Sequence, residues 1–369
     1  MNEQTMSNDE LIGLRQKIDE VDEKIQRLIN ERAGYAVQVA KAKKTQEDNP
    51  IFYRPEREAQ VLKKVMARNE SMGGVLPADK MARLFREIMS VCLDLEAPQK
   101  IAYLGPAGTF THMAALKHFG KAATTVPLST IADVFREVEA GSAMYGVVPV
   151  ENSSEGVVNH TLDGFLSSDL KIIGEVELPV HHQFLVGEHT KVGAISKIYA
   201  HSQALAQCRQ WLDTHYPNVE RVAVSSNGEA ARRIKNEWHS AAIAGEVAAS
   251  EYNLHKLFEN IEDTPSNTTR FLIIGREAVA PSGQDKTSIL VAAKDHAGAL
   301  IQILQPLAKH GVSMTSIETR PERPNKWAYV FFIDMLGHID DANMQAALAE
   351  IRPQVKDLRV LGAYPKAVI

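Results

Sequence analysis

The 369-residue chain contains few cysteines, few aromatic residues and no long apolar run. Its two cysteines, Cys92 and Cys208, lie in different segments without metal-ligand spacing, which predicts reduced thiols and no cysteine-based metal site. No run reaches the ~20 apolar residues of a membrane span, and the N-terminus lacks a signal-peptide core. A net charge of −5 without a basic cluster argues against nucleic acid or membrane as a partner. These absences predict a cytoplasmic protein, and the length of 369 residues predicts two or three domains.

The first 45 residues carry an apolar repeat in steps of three and four residues, which predicts one face of a long helix over residues 8–44. The repeat comprises Leu11, Leu14, Ile18, Val21, Ile25, Leu28, Tyr35 and Val39. Its register requires an apolar residue at position 32, where the chain has Arg32. We expect an anion to neutralise this guanidinium, because an unpaired buried charge is costly. The alternative is an arginine that extends from a coiled-coil seam into solvent.

Two further cations bear on that choice. Lys43 shares the face of Arg32, roughly 16 Å along the helix. Arg15 lies roughly 25 Å from Arg32 in the other direction, so no metabolite can contact both arginines of one straight helix. An antiparallel second copy would bring its own Arg15 to the first copy's Arg32. Because the helix is also too long for its short domain to cover, the pattern favours an intertwined homodimer.

Two shorter helices follow, one beginning at Pro55 and one at Pro77, and Pro98 closes the second. With LRQKID, NERAGYAVQVAKAK, YRPERE and FREIMSVCLDLE in this order, residues 1–98 resemble the helical class of chorismate mutases. The resemblance implies an all-helical intertwined dimer that rearranges chorismate to prephenate. This pericyclic step needs no nucleophile, proton shuttle, metal or cofactor.

The resemblance also implies roles for individual residues. Arg32 and Arg15 of the partner subunit would bind the two carboxylates of chorismate, since guanidinium groups bind carboxylates bidentately. Lys43 would face the ether oxygen, and Arg57 would support the site. Glu58 would accept a hydrogen bond from the substrate hydroxyl.

Three further positions of this domain need separate treatment. Cys92 lies one turn before Glu96 and is expected to line the same pocket. Glu96 stands where the family commonly has a glutamine that donates to the ether oxygen, so it must be protonated to help. A solvated glutamate at the helix end is the alternative. Arg54 stands where an acidic residue is usual, which leaves its contact with the substrate open.

From residue 100 onward, short apolar strands alternate with helices, which is typical of a doubly wound α/β fold. The predicted strands are IAYLG, YGVVPV, LKIIGEVEL, HQFLV, KIYA, RVAV, AAIA and TRFLIIG, and the predicted helices include 130–140, 203–215 and 228–237. The length suits two lobes around a cleft. Residues 100–177 with a return from about 256 would form one lobe, and 178–255 the other. Ligands in such folds bind at the carboxyl ends of strands.

Polar residues follow several of these strands. They are Thr109 after the first strand, Glu151, Asn152 and Ser153 after VVPV, Ser202, Gln203 and Gln207 after KIYA, and Thr269 and Arg270 at the last strand. Taken singly, each is more typical of a helix cap or a strand-end hydrogen bond than of a functional group.

Together, GPAGTFT, VPVENSSEGVV, AHSQALAQC, SSNGEAA and NTTRF resemble prephenate dehydratase, over a domain of residues 100–281. The resemblance implies that prephenate loses CO2 and its ring hydroxyl to become phenylpyruvate. Thr269 would be the essential hydroxyl that donates to the leaving oxygen, and Arg270 would anchor a carboxylate. The other seven residues would bind or protonate the substrate. The general acid stays open, and the pair His181 and His182 is an alternative that is more often structural.

Residues 286–369 form a third unit with β-α-β-β-α-β order, which predicts a ferredoxin-like sandwich. DHAGALIQIL and TSIETRP resemble the ACT regulatory domain of phenylalanine-pathway enzymes. The resemblance implies that phenylalanine binds at two motifs, Gly298, Ala299 and Leu300 in one and Glu318, Thr319, Arg320 and Pro321 in the other. Thr319 replaces the usual serine. A plain dimerisation module is the alternative.

The sequence thus predicts a multidomain, bifunctional chorismate mutase/prephenate dehydratase that phenylalanine inhibits and that forms a homodimer or a higher even oligomer. Two alternatives stay open. One is a non-catalytic metabolite sensor, which leaves the cation constellation of the first domain unexplained. The other is a dehydratase that prefers arogenate to prephenate.

Overall fold

The computed structural model describes residues 8–48, 50–294, 296–321 and 329–369. Three bodies follow one another along the chain: a helical segment, a two-lobed α/β unit and an α+β sandwich. The predicted fold class is confirmed. No helix in the described ranges is long and apolar enough to cross a membrane.

The helical segment consists of α1 (Asn8–Gln46), α2 (Pro55–Ser71) and α3 (Ala78–Glu96). Acidic residues occupy the first turn of α1 and lysines its last turn, which suits the helix dipole. The predicted proline-initiated starts of α2 and α3 are confirmed. All eight residues of the apolar repeat on α1 are 40–62% exposed. One chain therefore leaves this face of α1 uncovered along most of its length.

The first lobe of the α/β unit has a mixed sheet in the order β2-β1-β3-β11-β5, with a short β4 beside β3. Its strands are β1 (Lys100–Leu104), β2 (Thr124–Leu128), β3 (Tyr145–Asn152), β4 (Gly156–Val157), β5 (Lys171–Pro179) and β11 (Thr268–Gly275). Its helices are α4 (Phe110–Phe119), α5 (Ile131–Glu139) and α6 (Asn159–Ser167). The three strands β2, β1 and β3 are parallel, whereas β11 runs antiparallel to both of its neighbours.

The second lobe has the sheet order β10-β6-β9-β7-β8. Its strands are β6 (Gln183–Val186), β7 (Lys197–His201), β8 (Glu220–Val224), β9 (Ser240–Ala244) and β10 (His255–Phe258), and its helices are α7 (Ser202–Gln207), α8 (Arg209–His215), α9 (Asn227–Ile234) and α10 (Glu246–Tyr252). The chain therefore returns to the first lobe at Thr268, not near residue 256, because β10 pairs with β6.

The helix predicted over residues 203–215 is interrupted at Cys208. The carboxylate of Asp263 accepts hydrogen bonds from the backbone N–H groups of Gln210 (2.9 Å) and Trp211 (3.1 Å). A side chain from a distant loop thus satisfies amides at the start of α8, which makes a second helix start stable at this point.

The third unit has the predicted β-α-β-β-α-β order, with β12 (Asp285–Ala292), α11 (Ala299–Lys309), β13 (Met314–Pro321), β14 (Tyr329–Leu336), α12 (Ala342–Ile351) and β15 (Asp357–Pro365). Its antiparallel sheet has the order β13-β14-β12-β15, so β13 is an edge strand. One sheet face packs on the two helices through Ile289, Ile303, Ile333 and Met344.

The other face of this sheet packs on the first lobe. Leu290, Phe332 and Tyr364 share one buried cluster with Phe165 and Leu272 of that lobe. At Gly362 the two backbones touch, because a Cβ there would lie 2.1 Å from the carbonyl oxygen of Ile172. The sheet of the third unit is therefore a direct neighbour of the sheet that carries β3 and β11.

Candidate active sites

Arg32, Lys43 and Glu96 form a group at the junction of α1 and α3. Lys43 Nζ donates to the carbonyl oxygen of Ile51 at 3.0 Å and lies 5.5 Å from the centre of the Phe52 ring. Burial raises the pKa of the Glu96 carboxyl, while the charges of Lys43 and Arg32 oppose that rise without cancelling it. The structure thus brings together two cations and a carboxyl group whose pKa is raised by burial.

The other residues predicted for this site have different environments. Cys92 is buried one turn before Glu96, as expected from their spacing. Arg15, Arg54 and Arg57 are exposed, and Arg15 is seventeen residues from Arg32 on the same continuous helix. Within one chain Arg15 does not reach the group formed by Arg32, Lys43 and Glu96.

Glu58 forms a buried ion pair within the chain. Its carboxylate is 2.5 Å from Nη1 of Arg86, a buried arginine that also donates to the carbonyl oxygen of His118 in α4. The two side chains are only 15% and 10% exposed. Glu58 is therefore the counter-ion of Arg86 at the boundary with the α/β unit, because a buried guanidinium needs one. Arg86 engages only Oε1 of Glu58, so the role of Glu58 as acceptor of the substrate hydroxyl stays a prediction.

A cleft of about 710 Å³ separates the two lobes of the α/β unit. Its polar lining comprises Thr109, Thr111, Ser129, Asn152, His182, His201, Gln203, Gln207, Ser225, Ser226, Asn227, Glu229 and Thr269. Most of these residues follow the carboxyl ends of β1, β3, β7 and β8, where ligands bind in such folds. No lysine or arginine is found among the described residues that line the cleft.

Asn152 and Thr269 meet at the base of the cleft. Nδ2 of Asn152 donates to Oγ1 of Thr269 at 2.7 Å. Oδ1 of Asn152 accepts from the backbone N–H groups of Ser154 (3.0 Å) and Glu155 (3.1 Å), which fixes the orientation of the carboxamide. Thr269 is therefore the acceptor in this pair, so its hydroxyl proton remains available for another acceptor in the cleft.

His182 and Gln207 form a second polar pair on the opposite wall. Nε2 of His182 is 2.8 Å from Oε1 of Gln207, an arrangement in which the imidazole donates. Burial lowers the pKa of His182, which favours the neutral ring. Nδ1 of His182 and Nε2 of Gln207 are buried, and neither has a partner in the described part of the chain. Unpaired buried polar atoms in a cleft mark a place where a polar ligand can bind.

The adjacent residues His181 and His182 thus have different environments. His182 lines the cleft, whereas Nδ1 of His181 lies 2.7 Å from the carboxylate of Glu262. His201, which also lines the cleft, was not among the predicted site residues, although it ends strand β7 directly before the predicted Ser202. Its place at a strand end is the signal that could have identified it.

Other predicted cleft residues serve the fold. Oγ1 of Thr109 caps α4 by accepting from the N–H of His112 and donates to Leu104, although Thr109 does line the cleft. Ser153 joins the end of β3 to the start of β11, since its hydroxyl donates to Asn267 and accepts from the N–H of Thr268. Ser202 is exposed at the start of α7, outside the cleft lining.

Glu151 and Arg270 are also corrected, because both face away from the cleft. Arg270 binds Glu175 of β5 and Asp334 and Tyr364 of the third unit. Glu151 lines a small cavity between the first lobe and the third unit. Arg270 was expected to anchor a carboxylate and Glu151 to position or protonate the substrate, and neither residue lines the cleft.

The two predicted effector motifs differ in their surroundings. Gly298 adopts a left-handed conformation (φ 86°) at the start of α11, where Ala299 is half-buried and Leu300 is 38% exposed. On β13, Thr319 and Pro321 are exposed.

Glu318 and Arg320 occupy the other face of β13, and their contact with an effector stays a prediction. The guanidinium of Arg320 binds both carboxylate oxygens of Asp163 in α6, at 2.7 and 2.9 Å from Nη2. Glu318 lines the same small cavity as Glu151. The alternation of side chains along a strand thus divides this motif between two faces.

Comparison with known proteins identifies all three units of the chain. Family models match as chorismate mutase type II over residues 14–97, prephenate dehydratase over 101–279 and ACT domain over 287–353. A bifunctional chorismate mutase/prephenate dehydratase of Pseudomonas aeruginosa is 57% identical over 98% of this chain and 99% of its own. That of Escherichia coli K12 is 34% identical over 97% of each chain.

Among solved structures, the prephenate dehydratase of Arthrobacter aurescens in complex with L-Phe is 36% identical. It has a TM-score of 0.67 and covers 72% of this chain and 89% of its own. The chain belongs to the family of bifunctional chorismate mutase/prephenate dehydratases.

Proposed function

We propose that residues 1–98 carry the mutase site, residues 100–281 the dehydratase site and residues 286–369 the regulatory site. The chain rearranges chorismate to prephenate and then converts prephenate to phenylpyruvate. These reactions belong to phenylalanine biosynthesis. Two free, buried cysteines in separate domains support the cytoplasm as the compartment.

In the mutase site, Arg32 and Lys43 bind the dianionic substrate while the protonated carboxyl of Glu96 donates a hydrogen bond to the ether oxygen. The rise in the pKa of Glu96 supports its role as a donor, since only the protonated carboxyl can donate. No bond to the enzyme is made in this pericyclic step. Catalysis therefore rests on holding the folded conformer and on stabilising charge at the ether oxygen. Arg57 and Cys92 would line the site, and Arg54 would lie at its edge.

A second copy of the chain completes this site in our proposal. The exposed apolar face of α1 supports it, because eight large side chains are left in solvent in a single chain. An antiparallel partner helix would cover this face. It would also place Arg15 of the partner subunit near Arg32, which supplies the second guanidinium for a substrate with two carboxylates.

In the dehydratase cleft, the hydroxyl of Thr269 donates a hydrogen bond to the ring oxygen of prephenate, which leaves as hydroxide. The hydrogen bond from Asn152 is the observation that carries this role, because it leaves the Thr269 proton free and fixes the hydroxyl oxygen. Loss of CO2 supplies the electron pair, and aromatisation drives the step. His182, Gln203 and Gln207 bind the substrate beside it.

The carboxylates of prephenate need a different anchor from the predicted Arg270. The first turns of α4 and α9 line the cleft, with Phe110 and Thr111 in one and Asn227 and Glu229 in the other. Backbone N–H groups and the positive end of the helix dipole stabilise anions at such positions. We propose these two helix starts as the carboxylate sites.

Phenylalanine is proposed to bind the third unit and to lower the activity of the dehydratase. The relative solved with L-Phe supports this, as do the exposed Gly298, Leu300, Thr319 and Pro321. Phenylalanine can inhibit only by favouring a state in which the cleft is less competent. Linkage then requires that prephenate weaken the binding of phenylalanine by the same factor.

The test follows phenylpyruvate by its ultraviolet absorbance after chorismate is added to the purified protein without a cofactor. Formation of phenylpyruvate agrees with two activities in one chain. A protein that binds both metabolites and produces neither product would be the non-catalytic sensor. Competition between prephenate and arogenate in one assay decides the preference of the dehydratase.

A further inference from the structure

The paired strands β3 and β11 present side chains to the cleft on one face and to the third unit on the other. In register, Thr269 lies opposite Asn152, and Arg270 lies opposite Glu151. Because side chains alternate along a strand, the first pair faces the cleft and the second pair faces the third unit. Asn152 and Thr269, at the centre of the dehydratase site, are therefore direct chain neighbours of Glu151 and Arg270. The latter two residues lie on the boundary with the third unit.

Each nitrogen of the Arg270 guanidinium donates a hydrogen bond. Nε donates to Oε2 of Glu175 at 2.9 Å, Nη1 to Oδ2 of Asp334 at 2.6 Å and Nη2 to the hydroxyl of Tyr364 at 3.0 Å. Glu175 comes from β5 of the first lobe, whereas Asp334 and Tyr364 come from β14 and β15 of the third unit. Arg270 therefore ties the catalytic strand to both sheets.

The network around Arg270 is closed and balanced. Lys286 of β12 binds Oε2 of Glu175 at 2.8 Å, and Ser288 donates to Oδ1 of Asp334 at 2.5 Å. Two positive and two negative side chains thus neutralise one another, each no more than 16% exposed. Groups buried in this way hold one geometry, because any displacement leaves a charge without its partner.

Two further features place the network where a small shift would matter. The pairing of β11 with β3 changes register between Arg270 and Phe271, so the strand is irregular directly beside Thr269. Glu151 and Glu318 line one small cavity behind Asn152, and burial together with the charge of Glu151 raises the pKa of Glu318. Glu151 of β3 is thus a neighbour of Glu318, and Arg270 of β11 is a neighbour of Asp334, both in the third unit.

We propose that Arg270 is a positioning residue for the dehydratase reaction, through which the sheet of the ACT domain sets the place of the Thr269 hydroxyl. Arg270 touches no substrate. Its bonds to Asp334 and Tyr364 hold β11 so that Oγ1 of Thr269 stays within hydrogen-bond distance of Asn152. An effector that shifts β14 acts on the cleft through this contact.

The inference rests on the role proposed for Thr269, and its test uses the full chain. Dehydratase kcat and prephenate KM are measured for Arg270→Gln, for the isosteric Asp334→Asn and for the control Arg359→Gln. Arg359 also joins the third unit to the first lobe, by donating to the carbonyl oxygen of Phe165, but it has no contact with β11 among its described bonds. Circular dichroism and the thermal unfolding midpoint of each variant report whether the chain is folded.

We expect Arg270→Gln to lower kcat about tenfold or more and Asp334→Asn to lower it several-fold, each with KM changed less than about twofold. Arg359→Gln should keep the wild-type kcat. If Arg270→Gln does not fold, Asp334→Asn decides alone.

Three results would overturn the proposal. A raised KM with unchanged kcat would mean that Arg270 binds substrate, and unchanged values in Asp334→Asn would remove the contact from the reaction. An equal loss of kcat in Arg359→Gln would show that the effect comes from general docking of the two domains. Thr269→Ala is assayed in parallel, and full activity in that variant would defeat the role of Thr269 itself.

Discussion

Oγ1 of Thr269 accepts a hydrogen bond of 2.7 Å from Nδ2 of Asn152 across the paired ends of β11 and β3. The two residues are 117 positions apart in the chain, and each is only 9% exposed. Since the Asn152 amide oxygen is held by two backbone N–H groups, the direction of this bond is settled. Thr269 can therefore donate its proton only to another acceptor in the cleft, which is the chemistry that departure of a hydroxyl group requires.

Thr269→Ala should lower dehydratase kcat by about 10²–10³-fold, the range for loss of one preorganised donor, while prephenate still binds. Thr269→Ser should retain a measurable part of the rate because the hydroxyl survives. Single-turnover kinetics and binding by calorimetry separate the two effects. A near-normal kcat in the alanine variant would transfer the catalytic role to another group such as His182.

The fold was predictable where local pattern and packing agree. The repeat on α1, the proline starts of α2 and α3 and the order of the third unit all follow from periodicity and helix signals in the sequence. The Asp263 carboxylate that caps α8 comes from a loop over 50 residues away, so the helix break at Cys208 has no local signal.

The candidate site was predictable in part. Motif order selected Asn152, Thr269, Gln203 and Gln207, which the structure brings together in one cleft. It also selected Glu151 and Arg270, although alternation along a strand sends neighbours to opposite faces. Which face the third unit covers depends on domain packing, and that information is spread over distant residues such as Asp334.

Glu96→Gln should remove a pH dependence of the mutase reaction. Burial raises the pKa of Glu96, so the protonated donor is present below this pKa and is lost as pH rises through it. Mutase kcat/KM of the wild type should fall over that interval, and the glutamine variant should give a flatter profile. Identical profiles for the two proteins would exclude Glu96 as the donor.

The intertwined dimer can be tested by mixing chains. Arg15→Ala and Arg32→Ala homodimers should each lose mutase activity by about 10²–10³-fold. A mixed dimer has one intact site, which combines Arg32 of one chain with Arg15 of the other. After random exchange, half of the dimers are mixed, so about a quarter of the wild-type activity should return. No recovery, with exchange verified by mass spectrometry, would place both arginines in one chain's site or outside it.

Asp163→Asn should weaken inhibition by phenylalanine without changing kcat in its absence. The substitution removes the charge that binds Arg320, the contact between β13 and α6. Asp169→Asn is the matched control, since Asp169 follows α6 and its fully exposed carboxylate forms only a long, 3.9 Å pair with Arg359 of β15, which contributes little. Coupling energies between sites are usually about 1–3 kcal/mol, so a several-fold rise in the inhibitory concentration is expected. An equal rise in both variants would exclude a specific role for Asp163.

The separation of the two activities is tested most directly with Arg32→Ala and Thr269→Ala of the full chain. Arg32→Ala should convert supplied prephenate to phenylpyruvate but not use chorismate. Thr269→Ala should release prephenate from chorismate and stop there, and a mixture of the two proteins should again form phenylpyruvate from chorismate. If either substitution, in a folded protein, abolishes both reactions, one shared site performs them and the assignment of two sites is wrong.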